Sequence, residues 1–236
     1  MTHPQKLALV FMLFAWSAIF GITCSGCGGD LLEAPYCPAP PADSVDAYIT
    51  NGEPSTDRRS TVFVRGGGGF CSGTIIGPRT VLTAGHCVGK DEILVVGVGY
   101  FDVDQDIPHP EFTFPVNDLR ILHTLALLPE PYAPLADEDI VCSKTIAQGY
   151  GWHGNSPEQL NEREVFEVGH IGDQIFNSSG IAPGDSGGPL WAITDDGPIL
   201  LGVASWGWGT PDTDYEGGTG HISVVYHNEW ITGEIR

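Results

Sequence analysis

Apolar residues fall along this chain in two patterns. From Leu7 to Ile22 they form an unbroken run with small residues, preceded by the charge of Lys6. Further along they come in short bursts: Val62-Phe63-Val64, Ile93-Leu94-Val95-Val96 and Ile199-Leu200-Leu201-Gly202-Val203-Ala204. Gly, Pro, Asn and Asp separate these bursts, and β-branched residues dominate them, which is the signature of strands joined by tight turns. Phe70-Cys71-Ser72-Gly73-Thr74-Ile75-Ile76 reads as one strand and Thr80 to Cys87 as the next, with Gly77-Pro78-Arg79 as the turn between them. Many short strands predict an all-β architecture.

The first apolar run is shorter than the ~20 residues a membrane span needs and ends in small residues, as export signals do. A permanent anchor helix is the alternative. Ser25-Gly26-Cys27 after that run resembles a bacterial lipoprotein signal, in which the cysteine is acylated. Cys27 fits best; Cys24 stands where that motif normally carries leucine and is the second candidate. A lipidated chain is tethered to a membrane outside the cytoplasm, and one without lipid is secreted. Pro35, Pro38, Pro40 and Pro41 exclude helix interior and strand ladder from the next stretch of chain. The reading is therefore a signal segment over 1–27, a Pro-rich linker or propeptide over 28–48, and an ordered domain over 49–236.

Composition narrows this further. At 236 residues, one large domain or two small ones can form a sizeable core. A formal net charge of −20 repels phosphate backbones and argues against a nucleic-acid partner. The eight His and six Cys show no paired ligand spacing, so no metal site is expected.

The chemistry lies in two strings. A hairpin over 70–87 brings Cys71 and Cys87 close enough to bridge, which an exported protein permits; the bridge would fix the segment that ends in Leu82-Thr83-Ala84-Gly85-His86-Cys87. The second string is Gly184-Asp185-Ser186-Gly187-Gly188-Pro189. A serine hydroxyl is a weak nucleophile and needs a base beside it. The oxyanion it generates needs unobstructed backbone N–H donors, which Gly184 and Ser186 would supply. Both strings resemble the histidine and serine motifs of the trypsin/chymotrypsin-like serine proteases.

That resemblance covers residue 49 to the end. It implies two six-stranded antiparallel β-barrels of the chymotrypsin type, a short closing helix from Tyr226 to Ile235, and a site between the barrels. The family's triad runs His, Asp, Ser along the chain. Asp102, Asp104, Asp106 and Asp118 compete for the middle place. Asp118 is chosen because it heads the apolar run Leu119–Leu122 and follows His109-Pro110-Glu111-Phe112, whereas the other three read as an open acidic loop. The resemblance then implies that Ser186 attacks the scissile carbonyl, His86 moves the proton and Asp118 orients the imidazole. Substrates would be proteins or peptides, and the chemistry needs no cofactor.

The same resemblance has further implications. Ile49-Thr50-Asn51-Gly52 is similar to the family's mature amino terminus, so an activating protease would cut between Tyr48 and Ile49 and the new ammonium would pair with Asp185. A bridge between Cys37 and Cys142 would tie the propeptide to the body, as in chymotrypsinogen-like relatives. Ala182 stands where the serine loop of the family usually has a cysteine. Gly180, Ile181, Ser205, Trp206 and Gly207 would form the substrate pocket, with a preference for apolar or aromatic side chains over Arg or Lys. Asp212, Asp214 or Glu216 could favour a basic one, and His221 near the far wall could favour an acidic one or be an ordinary strand-end histidine. The stretch from Val88 to Phe101 lacks the acidic loop that binds calcium in some relatives. The alternative function is a catalytically silent binding protein on the same scaffold.

Overall fold

The computed structural model describes residues 52–56, 60–140, 144–151, 159–165, 167–177, 181–208 and 218–236. The signal segment, the linker, Cys24, Cys27, Cys37, Ile49, Cys142, Gly180, Asp212, Asp214 and Glu216 lie outside them. The described strands, in chain order, begin with β1 (Glu53–Pro54), β2 (Thr61–Gly66), β3 (Gly69–Gly77), β4 (Thr80–Thr83), β5 (Glu92–Val95), β6 (Gly99–Pro108) and β7 (Arg120–Thr124). They continue with β8 (Lys144–Gly149), β9 (Asn161–Val165), β10 (Glu167–Ile171), β11 (Gln174–Asn177), β12 (Pro189–Thr194), β13 (Gly197–Trp208) and β14 (Gly218–Ser223), and the helix α1 (Asn228–Gly233) comes last.

Six strands close on themselves in the order β2-β3-β4-β7-β6-β5, with β5 pairing back onto β2. The rest form a sheet ordered β1-β9-β8-β12-β13-β14-β11-β10. Its β9 and β10 lie near opposite ends of that order, yet only Phe166 separates them in the chain. A chain can pass between two such edges in one residue only if the sheet curls until they meet. Counted as one strand with β9, β10 makes this a second six-stranded barrel, to which β1 adds a short edge. This is the chymotrypsin fold.

The apolar runs of β4, β7, β12 and β13 are continuous rather than alternating because of where these strands sit. Val81 of β4 and Leu122 of β7 pack inside the first barrel, while Leu82 and Ile121 pack in a core shared with the second barrel and α1. Likewise Leu190 and Leu201 face the interior of the second barrel, and Trp191 and Leu200 face the shared core. Successive side chains point to opposite faces of a strand, so a strand covered on both faces is apolar throughout.

Three local expectations change. The strand expected over 80–87 ends at Thr83, and Ala84–Cys87 form a turn in which Cys87 N–H donates to Ala84 O at 3.0 Å. Asp102, Asp104 and Asp106 lie on β6 rather than in a loop, alternating with the more buried Phe101, Val103 and Ile107. The closing helix is shorter than 226–235, running from Asn228 to Gly233 around the buried Ile231.

Candidate active site

Four of the strands that contribute to the shared core, β4, β7, β12 and β13, also carry or adjoin the candidate residues. His86 follows β4, Asp118 precedes β7, Ser186 precedes β12, and Ser205 lies on β13. The packing between the barrels therefore sets the distances among these side chains.

The Cys71–Cys87 disulfide is formed, with its Cα atoms 6.3 Å apart, and it fastens the turn that holds His86 to β3. Asp118 is fully buried. Its Oδ1 accepts the backbone N–H of His86 at 2.7 Å, and its Oδ2 lies 2.7 Å from His86 Nδ1. Ser205 Oγ donates to the same Oδ2. An ionised carboxylate can only accept, so Nδ1 carries the proton and Nε2 is left as the acceptor. An imidazole in this tautomer can take a proton from a hydroxyl in the cleft.

The segment before Asp118 is anchored to the second barrel. Asn117 has φ of 51° and its N–H donates to Asp173 Oδ2 at 2.7 Å, while Gln174 Nε2 donates to Pro115 O at 2.7 Å. Asp173 is buried beside His227, whose ring Nε2 lies 3.5 Å from the carboxylate.

Ser186 lies in a loop that leans on both barrels. Its carbonyl accepts Ser72 N–H at 2.8 Å, and Gly187 N–H donates to Ala204 O at 2.7 Å. Gly187 has φ of 84°, and a Cβ there would sit 2.1 Å from Thr83 Oγ1, so this position takes no side chain. Ser72 Oγ donates to Gly184 O at 2.9 Å and in turn accepts Tyr150 N–H at 2.8 Å. Asp185 is fully buried, and its carboxylate accepts Gly151 N–H and Ala182 N–H, both at 2.8 Å. Among the described residues, no backbone carbonyl accepts Gly184 N–H or Ser186 N–H.

A cleft of about 490 Å³ brings His86 and Ser186 together with Ile181, Ser205, Trp206 and Gly207. Phe114, Ala182 and Pro183 complete its lining, and none of these three is expected as a pocket residue from sequence. The Phe114 ring packs edge-on against His86 with centroids 5.4 Å apart. The string Phe112-Thr113-Phe114-Pro115-Val116 gives little hint of this, because the contact depends on how the loop folds back over His86. Trp206 is held by its Nε1, which donates to Gln174 Oε1 at 2.7 Å. His221 is absent from the lining. It is fully buried on β14, where Asn177 Nδ2 lies 3.1 Å from its Nδ1, and burial pushes its pKa down to about 3.

A fold of this kind with a serine and a histidine sharing the inter-barrel cleft defines a serine endopeptidase. Comparison with known proteins agrees: the sequence pattern of the trypsin family matches residues 49–231, and the chain belongs to that family. It is 29% identical to the lectizyme of Glossina austeni, over 81% of this chain and 86% of that one. It is also 29% identical to trypsin-1 of Astacus astacus, over 69% of this chain and 86% of that one. An uncharacterized peptidase of Corynebacterium glutamicum is 28% identical, over 84% of this chain and 76% of its own length.

Proposed function

We propose that this serine endopeptidase works through a triad of His86, Asp118 and Ser186. The observation that carries the proposal is the double hold of Asp118 on His86, on the backbone N–H and on the ring Nδ1, with His86 and Ser186 lining one cleft. Ser186 Oγ attacks the scissile carbonyl, and His86 Nε2 takes its proton and later delivers it to the leaving amine. Gly184 N–H and Ser186 N–H receive the oxyanion, a role supported by neither group donating to a backbone carbonyl among the described residues.

The preferred side chain on the acyl side of the bond is apolar or aromatic. Ile181, Ala182, Pro183 and Trp206 support this, since they give the cleft apolar walls. The chain is made as a zymogen cut between Tyr48 and Ile49, and the Ile49 ammonium pairs with Asp185. The complete burial of the Asp185 carboxylate supports a partner of opposite charge. The protein is exported by residues 1–27 and tethered through lipid on Cys27 or released. Residues 28–48 are the linker, a Cys37–Cys142 bridge keeps it attached after cleavage, and the protease domain spans 49–236.

Fluorophosphonate labelling of protein processed to begin at Ile49 tests the central claim, with Ser186→Ala in parallel and the labelled peptide identified by mass spectrometry. Label on Ser186 that vanishes in the variant is expected, and a peptide library then reads the pocket. A folded, correctly cut protein that takes no label overturns the triad and favours a binding protein on this scaffold.

A further inference from the structure

Asp118 and Arg120 lie two residues apart at the head of β7, so their side chains leave the chain on the same side, while Leu119 between them packs into the shared core. Both reach the turn that carries His86. Arg120 donates from Nε at 3.0 Å and from Nη2 at 2.8 Å to the carbonyl of Gly85. That carbonyl belongs to the peptide group whose N–H, on His86, donates to Asp118 Oδ1 at 2.7 Å. One peptide plane is thus gripped at its oxygen by a cation and at its nitrogen by an anion. The third guanidinium edge donates from Nη1 to Asp106 on β6.

We infer that Arg120 is a positioning residue for the proposed triad, acting through the Gly85–His86 peptide. Only 6% of Arg120 is exposed, and a charge so buried is costly unless it is paired and its donors are used. Here Asp106 supplies the charge and Gly85 O the acceptor. Pulling on the carbonyl polarises the peptide and strengthens the N–H bond to Asp118, as hydrogen bonds in series do. The peptide cannot rotate without breaking three bonds at once, which fixes the backbone from which the imidazole springs. Gly85 itself is required for the fit, because a Cβ there would lie 2.8 Å from the Phe112 ring and 2.9 Å from Asp118 Oδ1. The planar fork of arginine, with two donors for one oxygen and a third for a carboxylate, suits this duty where a lysine ammonium does not.

The inference rests on the proposed roles of His86 and Asp118, and its test separates the two. Wild type, Arg120→Met and Arg120→Lys are compared as full chains, processed alike, for kcat and KM on a peptide substrate and for the downfield proton resonance of His86 Nδ1–H. Arg120→Met is expected to lower kcat about 10- to 100-fold with KM within about twofold, the scale of a small misplacement of a reacting group. The resonance should broaden or vanish. Arg120→Lys should recover part of the loss, to within about 3- to 10-fold of wild type, because it restores the charge but not the fork. A folded Arg120→Met protein with wild-type kcat and an unchanged resonance overturns the inference. Should that variant fail to fold, Arg120→Lys decides: wild-type kcat and resonance count against the clamp. A wild type that shows the resonance but neither hydrolyses peptide nor takes label would instead sink the protease mechanism, and loss of the resonance in Arg120→Met would still establish the clamp.

Discussion

The carboxylate of Asp118 meets His86 at two points, its Oδ1 2.7 Å from the backbone nitrogen and its Oδ2 2.7 Å from ring Nδ1. Both partners are donors, so only an acceptor on each oxygen satisfies them. An amide in place of the carboxylate must turn an NH₂ toward one of the two. If it faces the ring, Nδ1 becomes the acceptor, the proton moves to Nε2, and the cleft loses its base. Asp118→Asn is therefore expected to fold while turnover falls about 10⁴-fold, the loss seen when this tautomer is reversed. Active-site titration with circular dichroism on the same sample checks both halves. A variant with near-normal turnover would remove Asp118 from the proposed triad.

Much of this site is legible in the sequence because its chemistry is local. His86 and Ser186 sit in strings whose neighbours are needed within one or two residues: Cys87 to fasten the turn, Gly187 to let the loop approach β3. The features that the sequence conceals depend on partners far along the chain. Arg120 looks like a charged interruption of an apolar strand until Gly85 and Asp106 are brought beside it. The strand expected to reach Cys87 stops at Thr83 because the peptide beyond it is drawn toward Asp118 and Arg120. Phe101-Asp102-Val103-Asp104 does alternate at the strand period, but its density of acid suggests a loop. Pairing with β5 and β7 overrides that impression. The inward placing of His221 likewise depends on β11 and β13, which flank it on either side.

Gly187 offers a test of how tightly the serine loop is seated. Beyond the contact with Thr83 Oγ1, an added Cβ would lie 2.2 Å from Ser72 O, and the φ of 84° is unfavourable for any L side chain. Neither contact can relax by rotating a long side chain. Gly187→Ala is expected to cost about 3 kcal/mol, combining overpacking with backbone strain. It should also slow fluorophosphonate labelling of the adjacent Ser186. Urea denaturation and labelling rate measure the two effects, and a variant with unchanged midpoint and rate would mean that the loop has slack.

The disulfide that fastens the His86 turn should also matter for stability. Cys71 and Cys87 are 16 residues apart and both are buried. Closing a loop of that size restrains the unfolded chain by about 3 kcal/mol. Cys71→Ser with Cys87→Ser should lower the urea midpoint accordingly, and reductant should lower the midpoint of wild type further than that of the double variant, which keeps only the proposed Cys37–Cys142 bridge. Equal sensitivity of both proteins to reductant would point to a different bridge as the main restraint.

Acid should weaken the protein through its buried histidines. His221 is lowered from 6.5 to about 3 by burial, and burial also lowers the buried His227 and His123 and the half-buried His109. Such a group is neutral when folded and protonated when unfolded at pH values between its two pKa values. The unfolded state then binds more protons, so stability is full above about pH 6.5 and declines as pH falls toward 3. For His221 alone the slope approaches about 1.4 kcal/mol per pH unit inside that window. His221→Phe takes up no proton at this position, so its stability should fall less steeply between pH 6 and pH 4 than that of wild type, whatever its stability at pH 7. Urea titrations of both proteins at pH 7, 6, 5 and 4 give the two slopes. Parallel lines would mean that the unfolded and folded states protonate His221 alike, which its complete burial on β14 argues against.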